Sequence, residues 1–190
     1  MAYGEYEVCA AGRCRMEFLS DYVALDLETT GLNPYRDGII ELGAVRVCGG
    51  ELADAFSQLV NPGFPVSGFI TGLTGISNRM LADAPMLEEV LPAFMRFVGG
   101  SVVLGHNVSF DIGFLNAACR RLLGTGFAND YVDTMRLSRR LFPEYRHHRL
   151  CDLAERFGVE SDTSHRALAD VLQTRGCYEY MRRWACENGK

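Results

Sequence analysis

"VALDLETTG", residues 23–31, opens as an apolar strand and then sets two carboxylates, Asp26 and Glu28, two positions apart. Successive side chains of a strand alternate faces, so Asp26 and Glu28 share one side of "YVALDLE" while Leu25 and Leu27 share the other. As bare anions in a low-dielectric setting they would repel, and at least one pKa would rise steeply. Two arrangements relieve the repulsion. The acids can be unrelated groups at a solvated strand end, or they can share a cation, for which hard carboxylate oxygens suit Mg²⁺ or Mn²⁺.

Outward from this stretch the chain alternates strand and helix patterns. "GIIELGAVRV" (38–47) reads as a second strand rich in β-branched residues, and Gly49-Gly50 then signals a tight hairpin into "ELADAFSQLV" (51–60). Three antiparallel strands therefore open the domain. "NPGFPVSGFITGLTGIS" (61–77), with two prolines and four glycines, reads as a long functional loop. From Ala84 to Val98, the residues Leu87, Val90, Leu91, Phe94 and Val98 recur at helical spacing. "SVVLG" (101–105) is a fourth strand, followed by a helix with the stripe Ile112, Leu115, Cys119 and Leu122, and "DYVD" (130–133) is a fifth. Helical patterns run over Thr134–Leu141, Arg149–Phe157 and His165–Trp184. The order βββαβαβααα predicts an α/β fold: a mixed five-stranded sheet, three antiparallel strands then two parallel, flanked by helices.

The 190 residues suit one domain with a substantial core, and 48% hydrophobic with 23% charged residues is the balance of a soluble globular protein. A single domain over residues 21–185 is expected, preceded by an extension (1–20) in which "EYEVCA" could add an edge strand or stay disordered. No run approaches 18 apolar residues, and the N-terminus carries early glutamates without an apolar core, so neither a membrane span nor a signal peptide is expected. Seven cysteines without a CxxC pair fit reduced thiols and a cytoplasmic location. The net charge of −5 argues against a polyanionic partner only at first sight. Setting aside four acids that could hold metal leaves 20 acidic residues against 19 basic ones.

Further acids lie at similar junctions. "VVLGHNVSFDIGFL" is a strand that breaks at Gly105 and starts a helix near Asn107 to Ser109, which places Asp111 in or near a first turn, where the helix dipole favours a carboxylate. In "SDTSHRALADVLQ", Asp162, Thr163 or Ser164 can cap a helix that contains Asp170. His165 and Asp170, five apart, stand about 140° apart around a regular helix. They converge only if His165 lies at the frayed start.

Taken in order, "DLETTG", "GHNVSFD" and "HRALAD" resemble the three motifs of the DEDDh 3′–5′ exonuclease family, which includes proofreading subunits of bacterial DNA polymerases and ribonuclease T. The resemblance runs from about Asp21 to about Met181 and includes "IIELGAV" and "LTGIS". Histidine five before the last aspartate marks this branch, and Arg166 stands where the related branch has tyrosine. The resemblance implies a ribonuclease H-like fold with two divalent cations, Mg²⁺ or Mn²⁺, held by Asp26, Glu28, Asp111 and Asp170. It also implies His165 as general base. Two ions would supply an acidified water and offset charge on the attacking and leaving oxygens, and an imidazole with a pKa near 6.5 suffices to complete the deprotonation. Thr30, Leu73, Thr74 and Asn107 match places where the family contacts the 3′-terminal nucleotide.

The expected activity is hydrolysis at single-stranded 3′ ends, on DNA rather than RNA, releasing nucleoside 5′-monophosphates in proofreading or end trimming. A DNA polymerase subunit is a candidate partner. The alternatives are an exoribonuclease acting on small RNA or tRNA ends, and a catalytically idle binding module, which loss of an acid would mark. "RLSRRLFPEYRHHR" (136–149), the dense basic stretch, is either a solvated helix face or a steering surface for nucleic acid. Neutralising about five phosphates there would give a log–log salt slope of roughly −3 to −4.

Overall fold

The computed structural model describes residues 12–160 and 166–190. Within them the elements run β1 (Cys14–Arg15), β2 (Tyr22–Thr29), β3 (Ile39–Cys48), β4 (Glu51–Leu59), α1 (Gly68–Thr74), α2 (Asn78–Ala82), α3 (Leu87–Val98), β5 (Val103–Gly105), α4 (Ser109–Leu123), β6 (Tyr131–Asp133), α5 (Thr134–Leu141), α6 (Leu150–Phe157) and α7 (Ala167–Glu187). One sheet has the order β1-β6-β5-β2-β3-β4. The pairs β2–β3 and β3–β4 are antiparallel, whereas β2–β5, β5–β6 and β1–β6 are parallel.

The alternation read in the opening stretch sets the two layers. Val23, Leu25 and Leu27 face α3 and α4, where Leu91, Phe94, Phe114 and Leu115 bury them. Tyr22 and Ala24 face the opposite layer, against Leu153 of α6 and Val171, Tyr178 and Met181 of α7. Asp26 and Glu28 continue the Tyr22 and Ala24 side, so they emerge beneath α7 at the end of the strand. The hairpin forms as expected, with Gly49 and Gly50 at φ 59° and 86°, the left-handed values that a two-residue turn of this kind requires.

Four expectations need correction. Among the described residues the mixed sheet has six strands rather than five. The extra one is the two-residue β1, which pairs with β6 at the sheet edge. "EYEVCA" lies outside the described residues. The long loop 61–77 contains α1, capped by the Ser67 hydroxyl, which accepts from the Ile70 N–H at 3.3 Å. Ile70, Ile76 and Leu81 pack there with Ile40 and Val66, and this tertiary burial overrides two glycines that disfavour a helix. Helix α3 begins at Leu87 rather than Ala84, because the residue before Pro85 is pushed away from helical conformation and Met86 is extended. Helix α7 begins at Ala167, two residues after the expected start, and its preceding residue is Arg166. The caps considered at Asp162 to Ser164 lie outside the described residues.

The six described cysteines are free thiols. No described helix is long and apolar enough to cross a membrane.

Candidate active site

Strand β2 outruns its neighbour β5, which pairs with it only at Val23 and Ala24 and ends at Gly105. Beyond that point a strand edge carries backbone groups that must find partners elsewhere. The Leu27 N–H finds one in Asp111, whose Oδ1 accepts it at 3.1 Å. Asp111 stands in the first turn of α4 and is 4% exposed. The break at Gly105 therefore brings the second motif's carboxylate beside the first motif's strand.

The third contribution comes from α7. Asp170 lies in its first turn, and its N–H donates to the Arg166 carbonyl at 3.0 Å. Carboxylate oxygens of Asp26, Glu28 and Asp170 lie within 4.8 Å of one another, and all three residues are partly buried. Residues 26 and 170 are thus joined by the docking of one helix onto the sheet.

This concentration of charge alters each acid. Asp26 is held well above the ordinary carboxylate range by burial first, then by the charges of Asp111, Glu28 and Asp170. Glu28 is pushed up to about 7 by burial and by Asp170 and Glu41, against the opposing pull of Arg166. Burial also raises Asp111, although backbone N–H groups, including that of Leu27, favour its charged form. Carboxylates that cannot all ionise together hold protons that a cation can replace. The donor set is oxygen only, with no thiolate or imidazole in the triad, and so fits a hard divalent cation.

The other expected residues have settings of their own. His165 lies outside the described residues; regular helix starts after it, at Ala167. Asn107 is exposed, adopts φ 57°, and donates its N–H to Asp133 Oδ1 at 3.0 Å. Leu73 on α1 is 46% exposed. The Thr30 hydroxyl accepts from the Gly38 N–H at 2.9 Å, closing the loop after β2. Thr74 is buried, donating its hydroxyl to the Ile70 carbonyl at 2.9 Å and accepting from the Ile76 N–H at 3.1 Å.

Two supporting carboxylates escaped the sequence reading. Asp133 is 2% exposed and its Oδ1 also accepts from the Met135 N–H at 2.9 Å, so it ties Asn107 to the start of α5. Glu41 is buried on β3 opposite Glu28. The signal for Glu41 was present as one acid inside the apolar run "GIIELGAV", but its partners lie 125 and 126 residues away.

Comparison with known proteins identifies the family. The family described as exonuclease (RNase_T) matches residues 23–177, which span all three acid-bearing motifs. The chain belongs to this exonuclease family. This is the DEDDh 3′–5′ exonuclease family, and the chain has its ribonuclease H-like mixed sheet. The epsilon subunit of DNA polymerase III from Aquifex aeolicus is 43% identical over 153 residues, which cover 80% of this chain and 76% of that one. The PolC-type DNA polymerase III of Bacillus subtilis is 44% identical over 169 residues, covering 88% of this chain but only 12% of that much longer protein. A solved structure of Exonuclease X in complex with 5′ overhanging duplex DNA superposes with a TM-score of 0.67 at 30% identity, covering 85% of this exonuclease and 92% of that chain.

Proposed function

We propose that this exonuclease removes nucleotides stepwise from the 3′ ends of single-stranded DNA, in proofreading or end trimming, releasing nucleoside 5′-monophosphates. The observation that carries the reading is the meeting of Asp26, Glu28 and Asp170 oxygens within 4.8 Å, with Asp111 adjoining through Leu27. The choice of DNA is supported by the likeness to polymerase III components and to Exonuclease X, whose complex holds DNA. The same likeness makes a polymerase subunit the candidate partner and the cytoplasm the proposed setting.

In this reading Asp26, Glu28 and Asp170 would hold one divalent cation, Mg²⁺ or Mn²⁺, and Asp26 with Asp111 would support a second. Bound cations would acidify the attacking water and offset charge on the scissile phosphate. His165 takes the proton from that water on an imidazole nitrogen. Leu73 and Asn107 present exposed side chains to the terminal nucleotide. Thr30 and Thr74, whose hydroxyls are engaged within the chain, contribute by shaping the loops that meet it.

The test is incubation of end-labelled DNA and RNA oligonucleotides with Mg²⁺ or Mn²⁺, beside an Asp26→Ala variant. The expected result is metal-dependent shortening of DNA from the 3′ end by the native chain only. Preferential shortening of RNA would replace the substrate assignment with exoribonuclease activity. No shortening of either would overturn the catalytic one.

A further inference from the structure

Glu41 is a fifth carboxylate beside the cluster, directly opposite Glu28 in the β2–β3 register and 1% exposed. Another buried anion here adds repulsion unless a cation or strong donors meet it. Arg166 supplies both. Its Nε lies 3.2 and 3.1 Å from Glu41 Oε1 and Oε2, and its Nη2 lies 2.7 Å from Oε1. The next residue adds a third donor, the Ala167 N–H, 3.0 Å from Oε2. Arg166 is extended, at φ −131° and ψ 124°, and Ala167 opens α7 and is fully buried. Glu41 therefore grips the helix at the junction where regular structure begins.

Two residues along β3, Gly43 completes the seat. A Cβ added there would lie 2.6 Å from the Ala167 carbonyl carbon and 2.7 Å from the Leu168 nitrogen, so helix backbone rests directly on strand backbone. Gly43 faces Asp26 in the register. Asp170 follows one turn after Arg166.

We propose that Glu41 and Arg166 form a positioning pair that fixes the start of α7, so that Asp170 reaches Asp26 and Glu28, and that Glu41 is not itself a cation ligand. Both its oxygens are engaged by Arg166, and one of them by Ala167 as well. The proposal rests on the reading of the acids as a cation site. Without Arg166 the Glu41 charge is left buried and uncompensated, and without the Glu41 charge the guanidinium loses its anchor. Either change frees the helix start.

The test compares the native chain with Glu41→Gln, Arg166→Ala, Arg166→Lys and the Glu41→Gln/Arg166→Ala double variant. Three quantities are measured: Mn²⁺ affinity by calorimetry, kcat and KM on a labelled oligonucleotide, and melting temperature in EDTA. Outer groups that orient ligands alter metal affinity by about 10–100-fold, so each single loss should weaken Mn²⁺ binding by at least about tenfold. It should also lower kcat with KM changed less than about twofold. Arg166→Lys should recover part of both, and the double variant should be no worse than the poorer single one. Unchanged Mn²⁺ affinity in the single variants, or losses that multiply in the double, would overturn the proposal. So would a melting shift unaccompanied by either change. If Glu41→Gln fails to fold, the two Arg166 variants, at a partly exposed position, decide the question. If the native chain binds Mn²⁺ but cleaves nothing, the exonuclease reading fails while the affinity series still judges the pair.

Discussion

Asp26 faces Gly43 across the β2–β3 pair, and the space left by the absent side chain is filled by the backbone of Ala167 and Leu168. A methyl group at position 43 must therefore displace the helix that carries Asp170. Gly43→Ala should cost about 1–3 kcal/mol of stability, the usual range for overpacking. It should also reduce exonuclease activity per folded molecule by more than about tenfold, since a misplacement near 1 Å costs about two orders of magnitude in rate. Melting curves paired with oligonucleotide shortening check this. Native-like activity in a folded Gly43→Ala protein would show that the helix can give way without loss.

The acids conflict in the absence of cations, so function and stability should part at Asp26. Asp26→Asn removes one member of a mutually repelling, buried group. In EDTA it should melt higher than the native chain, by about 1 kcal/mol or more, and yet lose at least about a thousandfold in activity, as expected where a site is destabilised for its chemistry. A lower melting temperature in EDTA would refute the account of the site's electrostatics.

Glu28 gives this conflict a pH window. Its folded-state pKa of about 7 lies above its ordinary value of 4.5, so the folded chain binds the proton more tightly than the unfolded one. Its stabilising contribution is full below 4.5, is lost as pH rises toward 7, and is absent above that. Asp26 and Asp111, also raised, act in the same direction. The melting temperature in EDTA should fall between pH 5 and pH 8. Saturating Mn²⁺ should flatten that fall, because it replaces the protons, and Mn²⁺ affinity should rise over the same interval. A metal-free melting temperature that climbs from pH 5 to pH 8 would contradict this.

Salt dependence can separate a steering surface from a solvated one in the stretch 136–149. Arg149 is paired with Asp152 at 2.8 Å, and Arg136 lies 3.8 Å from Asp133. Arg139, Arg140 and Arg146 are exposed, with no ion pair among the described residues. If these three neutralise phosphates, replacing all three with Ala should make the log–log salt slope for single-stranded DNA shallower by about 2. An unchanged slope would assign them to solvent.

Much of this architecture was legible because its physical cause is local. Alternation along residues 22–28 fixed which side the two acids share, Gly49-Gly50 marked the hairpin, and the apolar spacing of Thr134–Leu141 matched α5 at both ends. What escaped depended on distant partners. Residues Cys14 and Arg15 are too few to show a period, and they become a strand only because β6 offers an edge. Helix α1 is written in glycine-rich sequence and is held by contacts with Ile40 and Val66. At the candidate site, the family motifs pointed to the acids, whereas Glu41 looked like a stray charge in an apolar strand until the fold set Arg166 against it.

The distance along the chain between Asp26 and Asp170 bears on biosynthesis. Two of the three clustered carboxylates are made early, but the third arrives only with α7, which must emerge from the ribosome and settle against β3 before the trio exists. The trio is therefore not a property of the hairpin that carries Asp26 and Glu28, and it comes into being only when α7 docks on the finished strands.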